Sequence, residues 1–195
     1  MGMSGDEPSS DEDDQYTVLE AKLVDPTTNK REKLIETVSE YREALHDAFT
    51  QGCTTRSETN DVVTAYDLSG YAKNALKKYV PQLTGDSYDA NTLAEDHPVR
   101  FTNEGPRFDH RPDNHHEWCM KLPHHEDYHL WCPLAINPEH EQWYHALVDE
   151  GRSVRLGETR LFERGGEWYV HVTIERETAI APRCGSRDSC RRGRW

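Results

Sequence analysis

The side chains in this sequence best suited to chemistry are its histidines and cysteines. His110, His115, His116, His124, His125, His129, His140 and His145 crowd one stretch together with Cys119 and Cys132. Imidazoles and thiolates at such density could bind zinc. Their spacing argues otherwise. There is no Cys-x-x-Cys and no His-x3-His on a clear helix, and the two cysteines stand singly in strand-like segments. The stretch reads as histidine-decorated hairpin loops with two small buried thiols. A metal- or protein-binding module built on those loops is the alternative reading.

Nucleophilic catalysis has no motif to carry it. The sequence lacks a Gly-x-Ser-x-Gly elbow and a Gly-rich phosphate loop. A single-strand transposase would need two His one residue apart on a strand, and His171-Val172-Thr173 supplies one. Carboxylates are everywhere, which makes any one pair uninformative. Bases are rare enough to be informative. Asp and Glu number 36 against 23 Lys and Arg, a net of −13, and only seven residues are Lys. Lys73, Asn74, Lys77 and Lys78 fall on the polar face of a predicted helix, beside Tyr71. Lys73 and Lys77 are four apart, so they are surface neighbours. In so acidic a chain they are candidate phosphate contacts, with Arg107 on a later strand as a further choice. The competing reading is a solvated basic face.

The elements that must position these residues follow from periodicity. Tyr16–Val24 alternates as a strand. A helix is predicted from about Lys30 to Gln51, with Asn29 and Glu32 as a capping box and Gly52 as C-cap. Its inward face is Leu34, Val38, Tyr41, Leu45, Ala48 and Phe49. Thr54–Asn60 reads as a polar stretch leading to a helix whose clearest part is Leu68–Val80, stopped by Pro81. A short helix is predicted at Ala90–Glu95. From His97 the period becomes two. Three hairpins are expected, turning at Asn103-Glu104-Gly105, at Pro123–Asp127 and at Arg164-Gly165-Gly166. Between the last two lies a short helix, Pro138–Asp149, on Trp143, Ala146 and Leu147. The sum is an α+β fold, a strand and a helical insertion followed by an antiparallel sheet curled into a small barrel.

Residues 1–14 hold six acids and no base, and they read as a disordered tail. Residues 182–195 hold five Arg and one Asp, leaving 18 bases against 35 acids in the rest. Many acids with few Lys is the surface of a protein kept soluble in concentrated salt, or of an ordinary acidic protein. The acidic N-terminus lacks an apolar core, no apolar run suits a membrane span, and the odd number of cysteines does not suit a disulfide framework. A cytoplasmic protein with free thiols is expected.

Several stretches together resemble a known family. LVDPTTNKREKL with YREAL, YDLSGYAKNALKKYVPQL, HPVRFTNEGPRFDH, PHHEDYHLW and RLFERGGEWYVHVTIERE occur in that order between Tyr16 and Glu177. They are similar to the N-terminal half of TnpB, the OrfB-type protein of small insertion sequences. That family is akin to the ancestors of type V CRISPR nucleases, and the Lys-poor composition fits its halophile versions. The resemblance implies a wedge-like, oligonucleotide-binding-type barrel from 16–26 and 97–177, interrupted by a helical recognition insertion at 27–96. It implies guide RNA and DNA as partners, with base pairing reading the target. In the family a RuvC-like nuclease follows, with its carboxylates, Mg2+ and zinc ribbon. Here TAIAPRCGSRDSCRRGRW follows instead, with Asp188 alone in an Arg/Ser/Cys stretch. Two-metal hydrolysis needs several carboxylates held together. The expectation is therefore a truncated family member without catalytic residues or cofactors. Residues 178–195 are expected to be disordered, with the composition of an out-of-frame reading.

Overall fold

The computed structural model describes residues 16–83, 88–125, 128–149 and 154–176. Strand β1 (Tyr16–Leu23) precedes helices α1 (Thr28–Thr50), α2 (Arg56–Val63), α3 (Gly70–Leu83) and α4 (Ala90–Glu95). Then come β2 (Val99–Phe101), β3 (Arg107–His110), β4 (Trp118–His125) and β5 (Tyr128–Ile136). A 3-10 turn at Pro138–His140 leads into α5 (Glu141–Val148), followed by β6 (Val154–Arg164) and β7 (Glu167–Arg176). The strands form one antiparallel sheet in the order β2-β6-β7-β1-β5-β4-β3. The fold is α+β, as the periodicity predicts. Both tails expected to be disordered, 1–15 and 178–195, lie outside the described residues. No helix among the described residues is long and apolar enough to cross a membrane.

Local chemistry sets the helix ends. The Thr27 hydroxyl, rather than Asn29, caps α1 by accepting from the Lys30 N–H. The first helical carbonyl is that of Thr27, which accepts from the Arg31 N–H at 2.9 Å, so Asn29 already lies inside the helix. At the other end Gly52 takes φ +70°, and the Cys53 N–H reaches back to the Ala48 carbonyl at 3.2 Å. That left-handed closure is what glycine permits. The stretch expected to be merely polar contains α2, held by a capping box. The Glu58 carboxylate accepts from the Thr55 N–H at 3.0 Å, and the Glu58 N–H donates to the Thr55 hydroxyl at 3.2 Å. Pro81 does not stop α3, which runs on to Leu83. Proline there forfeits one hydrogen bond near the helix end, and the burial of Val80 and Leu83 outweighs it.

The hairpins divide by turn conformation. Gly165 and Gly166 have φ +63° and +80°, the twist a two-residue hairpin needs, and they pair Arg164 with Glu167. The Pro123–Asp127 hairpin also forms, as β4 against β5 with an irregularity between Pro123 and His125. The hairpin expected at Asn103-Glu104-Gly105 does not form. A turn is present, with the Gly105 N–H donating to the Thr102 carbonyl at 3.0 Å, yet none of its residues has positive φ. Without the mirror-image twist the two strands splay. β2 pairs with β6 and β3 with β4, at opposite edges of the sheet.

The sheet must curl, because α5 packs on both β3 and β6. Four strands separate those two in the sheet order. On a flat sheet they would stand roughly 24 Å apart, whereas an eight-residue helix spans about 12 Å. Tyr144 of α5, fully buried, fills the gap against Phe108 and Trp118 at ring distances of 5.5 and 5.6 Å. α1 and α3 each touch both β2 and β4, so they lie across the other opening. Helices and strands share one core, joining Leu34, Tyr41 and Leu76 to Leu19, Phe101 and Val170. On α1 that core takes in Thr37 and Ala44 as well, while Val38 and Phe49 are only partly buried.

Two outcomes test this packing. A Cβ at Gly105 would lie 2.8 Å from the Tyr71 Cβ and 3.3 Å from the Pro123 Cγ. Gly105→Ala should therefore destabilise the protein by about 1–3 kcal/mol in urea unfolding, because α3 must move off the turn. An unchanged midpoint would show that this contact is soft. His97 offers a pH test. Its ring, 8% exposed, stacks on Tyr79 at 4.9 Å, and its Nε2 has no hydrogen-bond partner among the described residues. Burial, helped by the nearby Arg100, Arg160 and Arg42 cations, holds its pKa down to about 4. The unfolded chain then binds the proton first, at about pH 6.5. Stability from His97 is full above that value and is lost as pH falls toward 4, by up to about 3 kcal/mol. His97→Gln should flatten the stability profile in that window relative to wild type, which denaturation at stepped pH will read.

Candidate nucleic-acid interface

α3 buries Ala72, Ala75, Leu76, Val80 and Leu83. That leaves Tyr71, Asn74 and Lys78 together on one side at helical spacing, with Lys77 adjoining. The turn after β2 packs against this side. The Thr102 N–H donates to the Tyr71 carbonyl at 3.4 Å, and Gly105 lets the chain approach the Tyr71 side chain. The Asn103 side of the turn therefore stands at the meeting point of three clefts.

The first cleft, about 600 Å³, is lined by Arg56 and Asn60 of α2, by Asn74, Lys77 and Lys78, and by Asn103. The second, about 440 Å³, runs from Lys78 and Tyr79 to Arg100, Arg155 and Glu158. The third, about 720 Å³, lies between Tyr71, Arg107 and Arg155, with Phe108 and Leu147 as apolar lining. Six cations thus surround the turn, in a chain with a net charge of −13. Some are anchored. Lys77 Nζ donates to Asn60 Oδ1 at 3.3 Å. The Arg100 guanidinium lies 3.7 Å over the Tyr79 ring and pairs with Glu158 at 3.3 Å. Glu104, Glu158 and Glu175 are the carboxylates lining these clefts. Concave walls, amide side chains and unequal positive charge suit a phosphate-bearing ligand.

Of the residues singled out in the sequence, Tyr71, Asn74, Lys77, Lys78 and Arg107 line this region, whereas Lys73 lines none of the three clefts. Lys73 is half-buried on a different side of the helix from Asn74 and Lys78. Sequence reasoning missed Arg56, Arg100, Asn103 and Arg155. The Thr55-x-x-Glu58 box was a local signal for α2 and so for Arg56. Arg155 comes from a strand far along the chain, for which there was no local signal.

The histidines take other roles. His124 is buried, with Nδ1 2.7 Å from the Thr37 hydroxyl, and burial lowers its pKa. His110 and His145 pack on Trp118 at 4.5 and 4.9 Å. Cys132 is buried, which pushes its thiol up to about 11. Among the described residues no three His, Cys, Asp or Glu side chains converge to hold a metal ion. No protein-family model matches this chain, and no curated protein matches it significantly.

Proposed function

We propose that this chain is a nucleic-acid-binding module of the TnpB type, which holds guide RNA and DNA against the clefts around Asn103. The observation that carries the reading is the gathering of Arg56, Lys77, Lys78, Arg100, Arg107 and Arg155 around one turn of an acidic protein. Chance scatter on a surface at −13 would dilute bases among acids. The ordered stretches that resemble the family support the same reading, and they include the helix and the turn that build the clefts. On this proposal α3 and the turn contact phosphates, and base pairing between guide and target supplies sequence recognition. The chain binds and positions nucleic acid; cleavage belongs to a separate nuclease domain.

Phosphate contacts release counterions, so affinity should fall as salt rises. The net negative charge opposes approach at low salt, and screening relieves it. Binding of a guide-type RNA should accordingly be best at intermediate salt. Lys77→Glu with Lys78→Glu should weaken it by about tenfold or more, while Lys73→Glu changes it by less than about twofold. A salt titration by fluorescence anisotropy reads all three. Equal affinity for wild type and the double variant would overturn the proposal.

A further inference from the structure

The outer face of β3, β4 and β5 carries a second arrangement, whose row shares Arg107 with the third cleft and otherwise lies apart from the three clefts. Arg107 on β3 is directly opposite Lys121 on β4, and Lys121 is directly opposite Trp131 on β5. Residues opposite one another project from the same face, so the three form a straight row across the sheet. At strand spacing the row is roughly 10 Å long. Trp131 is 42% exposed, whereas Trp118 and Trp168 are buried at 4% and 2%. The Arg111 guanidinium sits 4.9 Å over the Trp131 ring while pairing with Asp109 at 2.6 Å. The Lys30 ammonium donates to the Trp131 carbonyl, at the point where β1 no longer covers β5. Lys33, about one helical turn after Lys30, lies 4.5 Å over the Tyr128 ring, on the opposite face of β5 from Trp131.

Two features of this row are unexplained by folding. A tryptophan left on the solvent face of a sheet contributes little to the core. Like charges directly opposite each other, as Arg107 and Lys121 are, oppose strand pairing. A polyanion that offers a flat ring resolves both, since it relieves the repulsion and covers the indole. Two of the chain's seven lysines, Lys30 and Lys121, flank Trp131 in an acidic protein. We infer that the row binds single-stranded nucleic acid: a base stacks on Trp131, and the backbone phosphates on either side meet Lys121 and Arg107. Arg111 moves from the indole face to the strand, by stacking or by pairing with a phosphate. A base-paired duplex, whose rings are enclosed, gains no stacking here. Stacking on an aromatic side chain is tolerant of sequence, so the row accepts any unpaired segment of RNA or DNA.

This inference rests on the nucleic-acid reading above and refines it by assigning unpaired strand to the β3–β5 face. The test uses the full chain with labelled oligo(U), oligo(dT) and a duplex of the same length. Trp131→Ala should weaken binding of both single strands by roughly tenfold or more. Trp131→Phe should retain most of the affinity, because a ring remains, and duplex binding should change by less than about twofold. Oligo(dT) should quench tryptophan emission in wild type, and still do so at saturation in the Lys77/Lys78 double variant. Unchanged single-strand affinity in Trp131→Ala, or equal losses for duplex and single strand, overturns the stacking row. If the Lys77/Lys78 variant weakens while Trp131→Ala does not, the cleft reading stands and this one falls. If wild type binds none of the three probes, both fall. Quenching by an acidic polypeptide such as poly-Glu, equal to that by oligo(dT), would make the face a protein-docking surface and also overturn it.

Discussion

The two halves of the sheet are held together by β1. On one side it runs beside β7 from Tyr16↔Glu175 to Lys22↔Tyr169. On the other it meets β5 only over Ala21–Leu23, extended by the Val24 N–H to the Pro133 carbonyl at 2.8 Å. Among the described residues, the group β2-β6-β7 and the group β5-β4-β3 have no other hydrogen-bonded seam. Leu19, Ala21 and Leu23 turn inward from this strand, so the seam is also the floor of the core. The brevity of the β1–β5 ladder lets the two groups turn toward each other, and the curl leaves openings that helices must fill. α5 fills one with Tyr144, while α1 and α3 cover the other.

The surfaces proposed to bind nucleic acid are consequences of that closure. α3 covers an opening of the curl, so its polar side meets the turn that leaves β2. Gly105 makes the approach possible, and the turn's failure to become a hairpin sends β3 to the far edge. Arg100 before the turn and Arg107 after it are seven residues apart, yet they belong to opposite ends of the sheet. The curl brings those ends back around Asn103, where Arg155 of β6 joins them. The same early end of the β1–β5 pairing leaves the Trp131 carbonyl to Lys30 and its ring to solvent.

Electrostatics follows the same geometry. A chain with 36 acids scatters them widely, and many are engaged on the surface. Glu20 meets both His171 and Arg164, and Glu58 closes its capping box; each is held below the usual carboxylate range by those hydrogen bonds. Such exposed pairs add little stability individually. Their effect is local, offsetting or anchoring individual carboxylates where the pairs form.

Local rules determined much of this protein from sequence alone. The alternation of Tyr16–Val24, the helical face of Leu34, Tyr41 and Leu45, and the Gly165-Gly166 hairpin needed no partner to be legible, because period and turn stereochemistry are properties of short segments. Five of the six residues expected at a phosphate-binding face line the clefts, since one helix face places most of them. Tertiary structure decided the rest. Asn103-Glu104-Gly105 had the composition of a hairpin turn, but its sign of φ depends on where β2 and β3 find partners. Pro81 stayed helical because the core rewards Leu83, and Lys73 fell outside the clefts because the turn packs on Tyr71, Asn74 and Lys78. The Arg107–Lys121–Trp131 row joins three strands whose register no segment encodes alone. Pairing between distant strands is set by how the whole apolar face is covered, and that is a property of the assembled chain.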